Sequence, residues 1–204
     1  MKISVSILET KTKEDIQKLD KLNLDYLHLD IMDGEFVDNK TWNIKEIKSL
    51  VESTKTPLDV HLMVNDVYRY IDEYSSLNPT FITFHYEATK DHLNIIKYIK
   101  SKSIKVGMSI KPETEIKEIS EYLKYIDLLL IMSVEPGRGG QKLIPNSIKK
   151  IADAKRIRND LIIEVDGGIN DSNIKELKDC DIAVIGSFIT NGDYKIQVDK
   201  IKNV

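Results

Sequence analysis

In the stretch YLHLDIMDG, Tyr26 to Gly34, an imidazole at His28 and a carboxylate at Asp30 stand two residues apart among apolar neighbours. On an extended chain that spacing points both side chains to one face and Leu27, Leu29 and Ile31 to the other. The pattern returns in DVHLMV, with Asp59 and His61, and in EVDGG, with Glu164 and Asp166. Two of the histidines His28, His61 and His85 with Asp30 and Asp166 would make a first shell for one borderline divalent ion, and the residue types do not choose among Zn, Fe, Mn and Co. Asp59 and Glu164, two residues before His61 and Asp166 on the same faces, are placed to orient such ligands by hydrogen bonds, and core hydrogen bonding alone explains them nearly as well. Of the four histidines, His28, His61 and His85 end strand-like runs, and His92 lies in a helical stretch. Each alone is most simply a hydrogen-bonded core residue. Together they point to a site, because burying several such groups without a shared purpose demands a separate hydrogen-bonding solution for each.

These residues need elements that bring them together. Strand-like runs are expected at Ile3 to Leu8, Tyr26 to Ile31, Leu58 to Val64, Thr80 to His85, Lys105 to Ile110, Leu128 to Val134, Leu161 to Asp166 and Ile182 to Gly186. Between them lie amphipathic helical segments such as IKEIKSLVE, VYRYIDEYSSL, EIKEISEYLKY and NSIKKIADAKRI. Strand then helix, repeated eight times, implies parallel strands, and the expected fold is α/β: a single (β/α)8 TIM barrel spanning 1–204. A doubly wound sheet is disfavoured because no GxGxxG follows the first run. A barrel collects its chemistry at the C-terminal ends of its strands, where the His and Asp residues fall.

Composition excludes several function classes. A net charge of −3 leaves no basic footprint for nucleic acid, and no apolar run approaches membrane-spanning length. The single Cys180 has no internal partner, reads as a structural thiol and suits a reducing cytoplasm. The glycines suggest a ligand. MSVEPGRGGQ (Met132 to Gln141), VDGGIN and VIGSF (Val184 to Phe188) close the last three runs, and the final loops of such barrels commonly cradle a phosphate with backbone N–H groups.

SIL at Ser6 to Leu8, HLDIMDGEFVDN at His28 to Asn39, DVHLMV, MSVEPGRGGQ and EVDGGIN together resemble the signature segments of the ribulose-phosphate 3-epimerase family, in order and over nearly the whole chain. The resemblance implies that His28, Asp30, His61 and Asp166 bind a divalent metal and that Asp30 and Asp166 are the acid/base pair. It further implies substrate contacts from Ser6 and His61, from Gly137, Arg138, Gly139 and Gly140, from Asp166, Gly167 and Gly168, and from Gly186 and Ser187. Met32, Met63 and Met132 match apolar residues that flank the reacting carbons, and a homo-oligomer is implied as well. The chain departs from the family pattern at Asp38, where Pro is usual, at Arg138, where Phe is usual, and at Glu9 and Thr10, where small residues are usual.

The chemistry follows from the residues too. Inverting a carbon beside a ketone requires a base on one face, an acid on the other and stabilisation of the enediolate between them. Two aspartates on opposed strands with a Lewis acid between them meet all three needs. The expected reaction interconverts D-ribulose 5-phosphate and D-xylulose 5-phosphate. Alternatives are epimerisation of a six-carbon ketose phosphate such as allulose 6-phosphate, a decarboxylase or aldolase on the same barrel, and a non-catalytic sugar-phosphate sensor. The barrel decarboxylases carry D-x-K-x-x-D on a strand, and Met32 occupies the lysine's place here.

Overall fold

A computed structural model describes residues 1–10 and 12–204. Eight parallel strands close into a barrel in chain order, β1 pairing with both β2 and β8. They are β1 (Lys2–Ser6), β2 (Tyr26–Met32), β3 (Leu58–Met63), β4 (Phe81–His85), β5 (Lys105–Ile110), β6 (Leu128–Met132), β7 (Ile162–Asp166) and β8 (Ile182–Ile185). The helices are α1 (Lys13–Asp20), α2 (Ile44–Val51), α3 (Val67–Ser75), α4 (His92–Ser101), α5 (Ile116–Ile119), α6 (Pro145–Ile157), α7 (Ser187–Thr190) and α8 (Tyr194–Lys202).

The (β/α)8 expectation holds, with two crossovers trimmed. Past Ile119 the expected long helix gives way to tight turns, the Tyr122 N–H donating to Ile119 O and the Tyr125 N–H to Tyr122 O, so α5 is one turn long. Between β7 and β8 the crossover carries only a 3₁₀ turn, Ile174–Glu176. β1 is shorter than its apolar run because Thr10 folds back, its N–H and Oγ1 both donating to Ile7 O.

Apolar burial is divided between two clusters. The larger, including Val5, Leu29, Val60, Ile82, Val106 and Ile131, lies between the barrel wall and the helices. The smaller, built on Tyr26, Phe81, Leu128, Leu130 and Ile182, lies among the inward-facing positions, with Tyr26 and Phe81 edge to face. Because facing alternates along each strand, the inward side chains above Tyr26 on β2 are His28 and Asp30. The β2–β3 register sets His28 beside Asp59 and Asp30 beside His61.

The entry into β3 is fixed by Asp20 at the end of α1, whose Oδ1 accepts from Thr54 Oγ1 at 2.6 Å, Thr56 Oγ1 at 2.7 Å, Thr56 N–H at 2.9 Å and Lys55 N–H at 3.0 Å. Burial pushes the Asp20 pKa up, but these hydrogen bonds outweigh it and hold the group at about 2. A depressed carboxyl stabilises the fold above its unfolded value near 3.8, and that contribution fades as pH falls towards 2. Asp20→Ala should therefore cost about 1–3 kcal/mol at neutral pH, shrinking between about pH 4 and pH 2. Denaturant melts across that range check it, and a pH-independent cost would remove Asp20 from this role.

Candidate active site

The sequence-expected ligands converge at the C-terminal mouth of the barrel. His28 Nε2, Asp30 Oδ1, His61 Nδ1 and Asp166 Oδ2 approach one another from β2, β3 and β7. His28 Nε2 lies 3.4 Å from His61 Nδ1 and 3.5 Å from Asp30 Oδ1; His61 Nδ1 lies 3.4 Å from Asp30 Oδ1 and 4.0 Å from Asp166 Oδ2. Three of these separations are longer than a good hydrogen bond and match the roughly 3.3–3.4 Å edge of a tetrahedron with metal–ligand bonds near 2.0–2.1 Å. The donor set and its spacing fit a divalent ion.

A second cluster, His28, Asp59 and Glu164, also gathers ligand atoms. There His28 Nδ1 and Asp59 Oδ2 are only 2.7 Å apart, the distance of a charge-assisted hydrogen bond and too short for two ligands of one ion. Asp59 instead fixes the His28 ring, with Nδ1–H donating and Nε2 turned to the first cluster. Ser4 Oγ donates to the same Asp59 oxygen at 3.2 Å. Glu164, buried against Asp59, is pushed well above the usual carboxylate range by burial first and by the Asp59 charge second.

The two proposed acid/base carboxylates sit in opposite electrostatic environments. Burial works to raise Asp30, but the His28 charge and the close approach of the His28 and His61 rings prevail and hold it far below the usual range. Ser6 Oγ donates to its Oδ2 at 2.7 Å. Asp166 has no such support: burial, and then the charges of Asp30 and Asp59, push it up to about 7 against the opposing pull of His28. The surroundings thus shift the two carboxyls in opposite directions, Asp30 down and Asp166 up.

Above this floor lies a cavity of about 640 Å³. Ser6, Asp30 and Asp166 line it at the bottom together with Met32, Met63 and Met132. Gly137, Arg138, Gly139 and Gly140 form one rim; Gly167, Gly168, Gly186 and Ser187 form the other. His28 and His61 are fully buried and lie under the floor.

Gly168 serves packing as much as ligand access: it takes φ +67°, and a Cβ there would stand 2.3 Å from Leu143 N and 2.8 Å from Gln141 O. Its carbonyl accepts from Asn173 Nδ2 at 2.9 Å. Ser133 Oγ donates to Asp166 O at 2.9 Å and to Gly167 O at 2.7 Å, fixing the end of β7. Ser133 lies within MSVEPGRGGQ and Asn173 just beyond VDGGIN, and neither is marked by residue type alone.

The departures at Asp38 and Arg138 face each other across the rim at 3.8 Å, both largely exposed, so the pair contributes little. The β6 loop is ordered instead by Asn39 Nδ2 donating to Gly137 O at 3.1 Å and by Gln141 Nε2 donating to Glu135 O at 2.7 Å and Arg138 O at 2.8 Å. Glu9 Oε2 accepts from Thr190 Oγ1 at 3.3 Å. Cys180 is buried, with its thiol pushed up to about 12 chiefly by burial, as a structural cysteine should be.

The family model for the ribulose-phosphate 3 epimerase family matches residues 2–190. The chain belongs to this family. A ribulose-phosphate 3-epimerase of Helicobacter pylori strain J99 is 34% identical over 100% of this chain and 98% of its own length. One from Mycobacterium bovis is 37% identical over 83% of this chain and 76% of its own. Among solved structures, a 3-hexulose-6-phosphate synthase superposes with a TM-score of 0.74 at 11% identity over 100% of this chain and 99% of its own, a likeness of fold alone. Ribulose-phosphate 3-epimerase family membership makes the chain an isomerase acting on a small sugar phosphate. Among the described residues no helix is long and apolar enough to cross a membrane.

The raised Asp166 carries a sign that can be tested. A carboxyl whose folded pKa lies above its unfolded value is compatible with the fold while protonated. It lowers stability as pH rises from about 4 through about 7. In protein stripped by a chelator, Asp166→Asn should melt higher than the parent at pH 8 and show no such gain at pH 4. Equal melting temperatures at pH 8 would contradict the raised value.

Proposed function

We propose that the chain interconverts D-ribulose 5-phosphate and D-xylulose 5-phosphate by inversion at C3, with Asp30 and Asp166 as the acid/base pair. The observation that carries this reading is the convergence of two carboxylates, Asp30 from β2 and Asp166 from β7, at the floor of one cavity. Asp30, ionised, takes the C3 proton from one face; Asp166, protonated, delivers a proton to the other. In the reverse direction their roles exchange. Ser6 holds Asp30 Oδ2 in place and meets the ketose end of the substrate, while His61 stays beneath the floor. Met32, Met63 and Met132 exclude water without competing for charge.

His28, Asp30, His61 and Asp166 are the residues that hold a divalent cation, Zn, Fe, Mn or Co. When bound, that ion supplies Lewis-acid stabilisation of the negative charge developing on the ketose oxygens. The phosphate is assigned to Gly168, Gly186 and Ser187, which line the cavity where the loops after β7 and β8 meet. Gly137, Arg138, Gly139, Gly140 and Gly167 complete the cavity around the sugar. A cytoplasmic, homo-oligomeric enzyme built of one domain over 1–204 is part of the same proposal.

Incubation of the pure protein with ribulose 5-phosphate in deuterated water should yield xylulose 5-phosphate carrying deuterium at C3, because the delivering acid differs from the accepting base. Asp30→Asn and Asp166→Asn should each lower the rate by roughly 10² to 10⁴. If both variants keep their metal and near-parental rates, the pair is misassigned; faster turnover of allulose 6-phosphate than of the pentulose would move the substrate to six carbons.

The phosphate assignment has its own check. Free ribulose should be a far poorer substrate than its phosphate, and Gly168→Ala should weaken substrate binding by displacing the Gln141–Leu143 backbone. Comparable kcat/KM for ribulose and its phosphate would remove these loops from the role.

A further inference from the structure

His61 offers Nδ1 to the ligand cluster, and its other nitrogen, Nε2, lies 2.9 Å from His85 Nε2 in a fully buried contact. Beyond it, His85 Nδ1 lies 3.2 Å from Glu87 Oε2. The other carboxylate oxygen of Glu87 accepts from Lys111 N–H at 2.8 Å and from Thr114 Oγ1 at 2.5 Å. The chain from carboxylate to ligand cluster is unbroken, and β4 and the 3₁₀ turn Tyr86–Ala88 supply it.

Only one neutral arrangement of hydrogens satisfies it while leaving His61 Nδ1 a lone pair. His61 Nε2–H donates to His85 Nε2, and His85 Nδ1–H donates to Glu87. The reverse would turn the His85 Nδ1 lone pair on a carboxylate and put a hydrogen on His61 Nδ1, aimed at the ion. Burial works to raise Glu87, yet hydrogen bonds from His85, Thr114 and Lys111 N–H outweigh it and hold the group at about 2, so it stays an acceptor. The geometry points to His85 and Glu87 as positioning residues that fix the His61 tautomer for metal binding, a carboxylate–histidine–histidine relay in which one imidazole extends the usual carboxylate–histidine support of a metal ligand. This rests on the reading that His61 Nδ1 is a metal ligand.

The test titrates chelator-stripped protein with Co²⁺, following the visible cobalt bands and obtaining dissociation constants by competition with a chromophoric chelator. The parent should take one Co²⁺ per chain. Glu87→Gln preserves shape but can present an N–H to His85 Nδ1, and His85→Leu leaves His61 Nε2–H without an acceptor. Each should bind Co²⁺ about 10- to 100-fold more weakly and shift the cobalt bands. His85→Gln, whose amide oxygen can accept, should recover much of the affinity, a rescue that loss of packing would not produce. Parent-like affinity and bands in both Glu87→Gln and His85→Leu would overturn the relay while leaving the metal reading intact. If the parent itself takes up no Co²⁺, or His61→Ala takes up as much as the parent, the metal reading falls and the relay with it.

Discussion

Charge buried inside a barrel must be paired, and the 2.7 Å contact between His28 Nδ1 and Asp59 Oδ2 is where this chain meets that constraint. Both residues are fully buried on inward positions of adjacent strands. The contact fixes the His28 ring, directs Nε2 to Asp30 and His61, and helps set the fields that separate the two aspartates. Replacing either member would leave a charge or an unsatisfied ring nitrogen in the barrel core, which is far costlier than losing an exposed ion pair.

The asymmetry of Asp30 and Asp166 follows from what each strand places beside them. Asp30 has two imidazoles and the Ser6 hydroxyl around it, whereas Asp166, at the cavity floor, feels the charges of Asp30 and Asp59. One residue type is thus shifted in opposite directions through position alone, the kind of asymmetry that a two-sided proton transfer needs. Backbone tethers from Ser133 and Asn173 hold the end of β7, so the position of Asp166 does not depend on its own side-chain contacts.

The layered interior explains how the fold tolerates this. Tyr26, Phe81, Leu128 and Ile182 belong to an apolar cluster among the inward positions, and the larger cluster outside the strands provides most of the buried hydrocarbon. The C-terminal end of the barrel is then free to be polar. Where the chain trims its crossovers, at α5 and between β7 and β8, it does so without breaking strand pairing, because neighbouring strands in a closed barrel supply every ladder bond.

By itself the sequence determined which residues face inward and which end of each strand they occupy. Alternation has a period of two, so His28 with Asp30, Asp59 with His61 and Glu164 with Asp166 had to share faces. Eight βα repeats had to run parallel, and the motifs around those residues carried the family. Other features are set by contacts between strands distant in sequence and had no local signature. The 3.4 Å spacing of His28 Nε2 and His61 Nδ1, the lift of Asp166 to about 7, and the Gly168 packing against the β6 loop all depend on register and closure. His85 was legible as a strand-end histidine, but its contact with His61 was not. The two meet only because β3 and β4 pair side by side in the closed barrel and turn both rings inward.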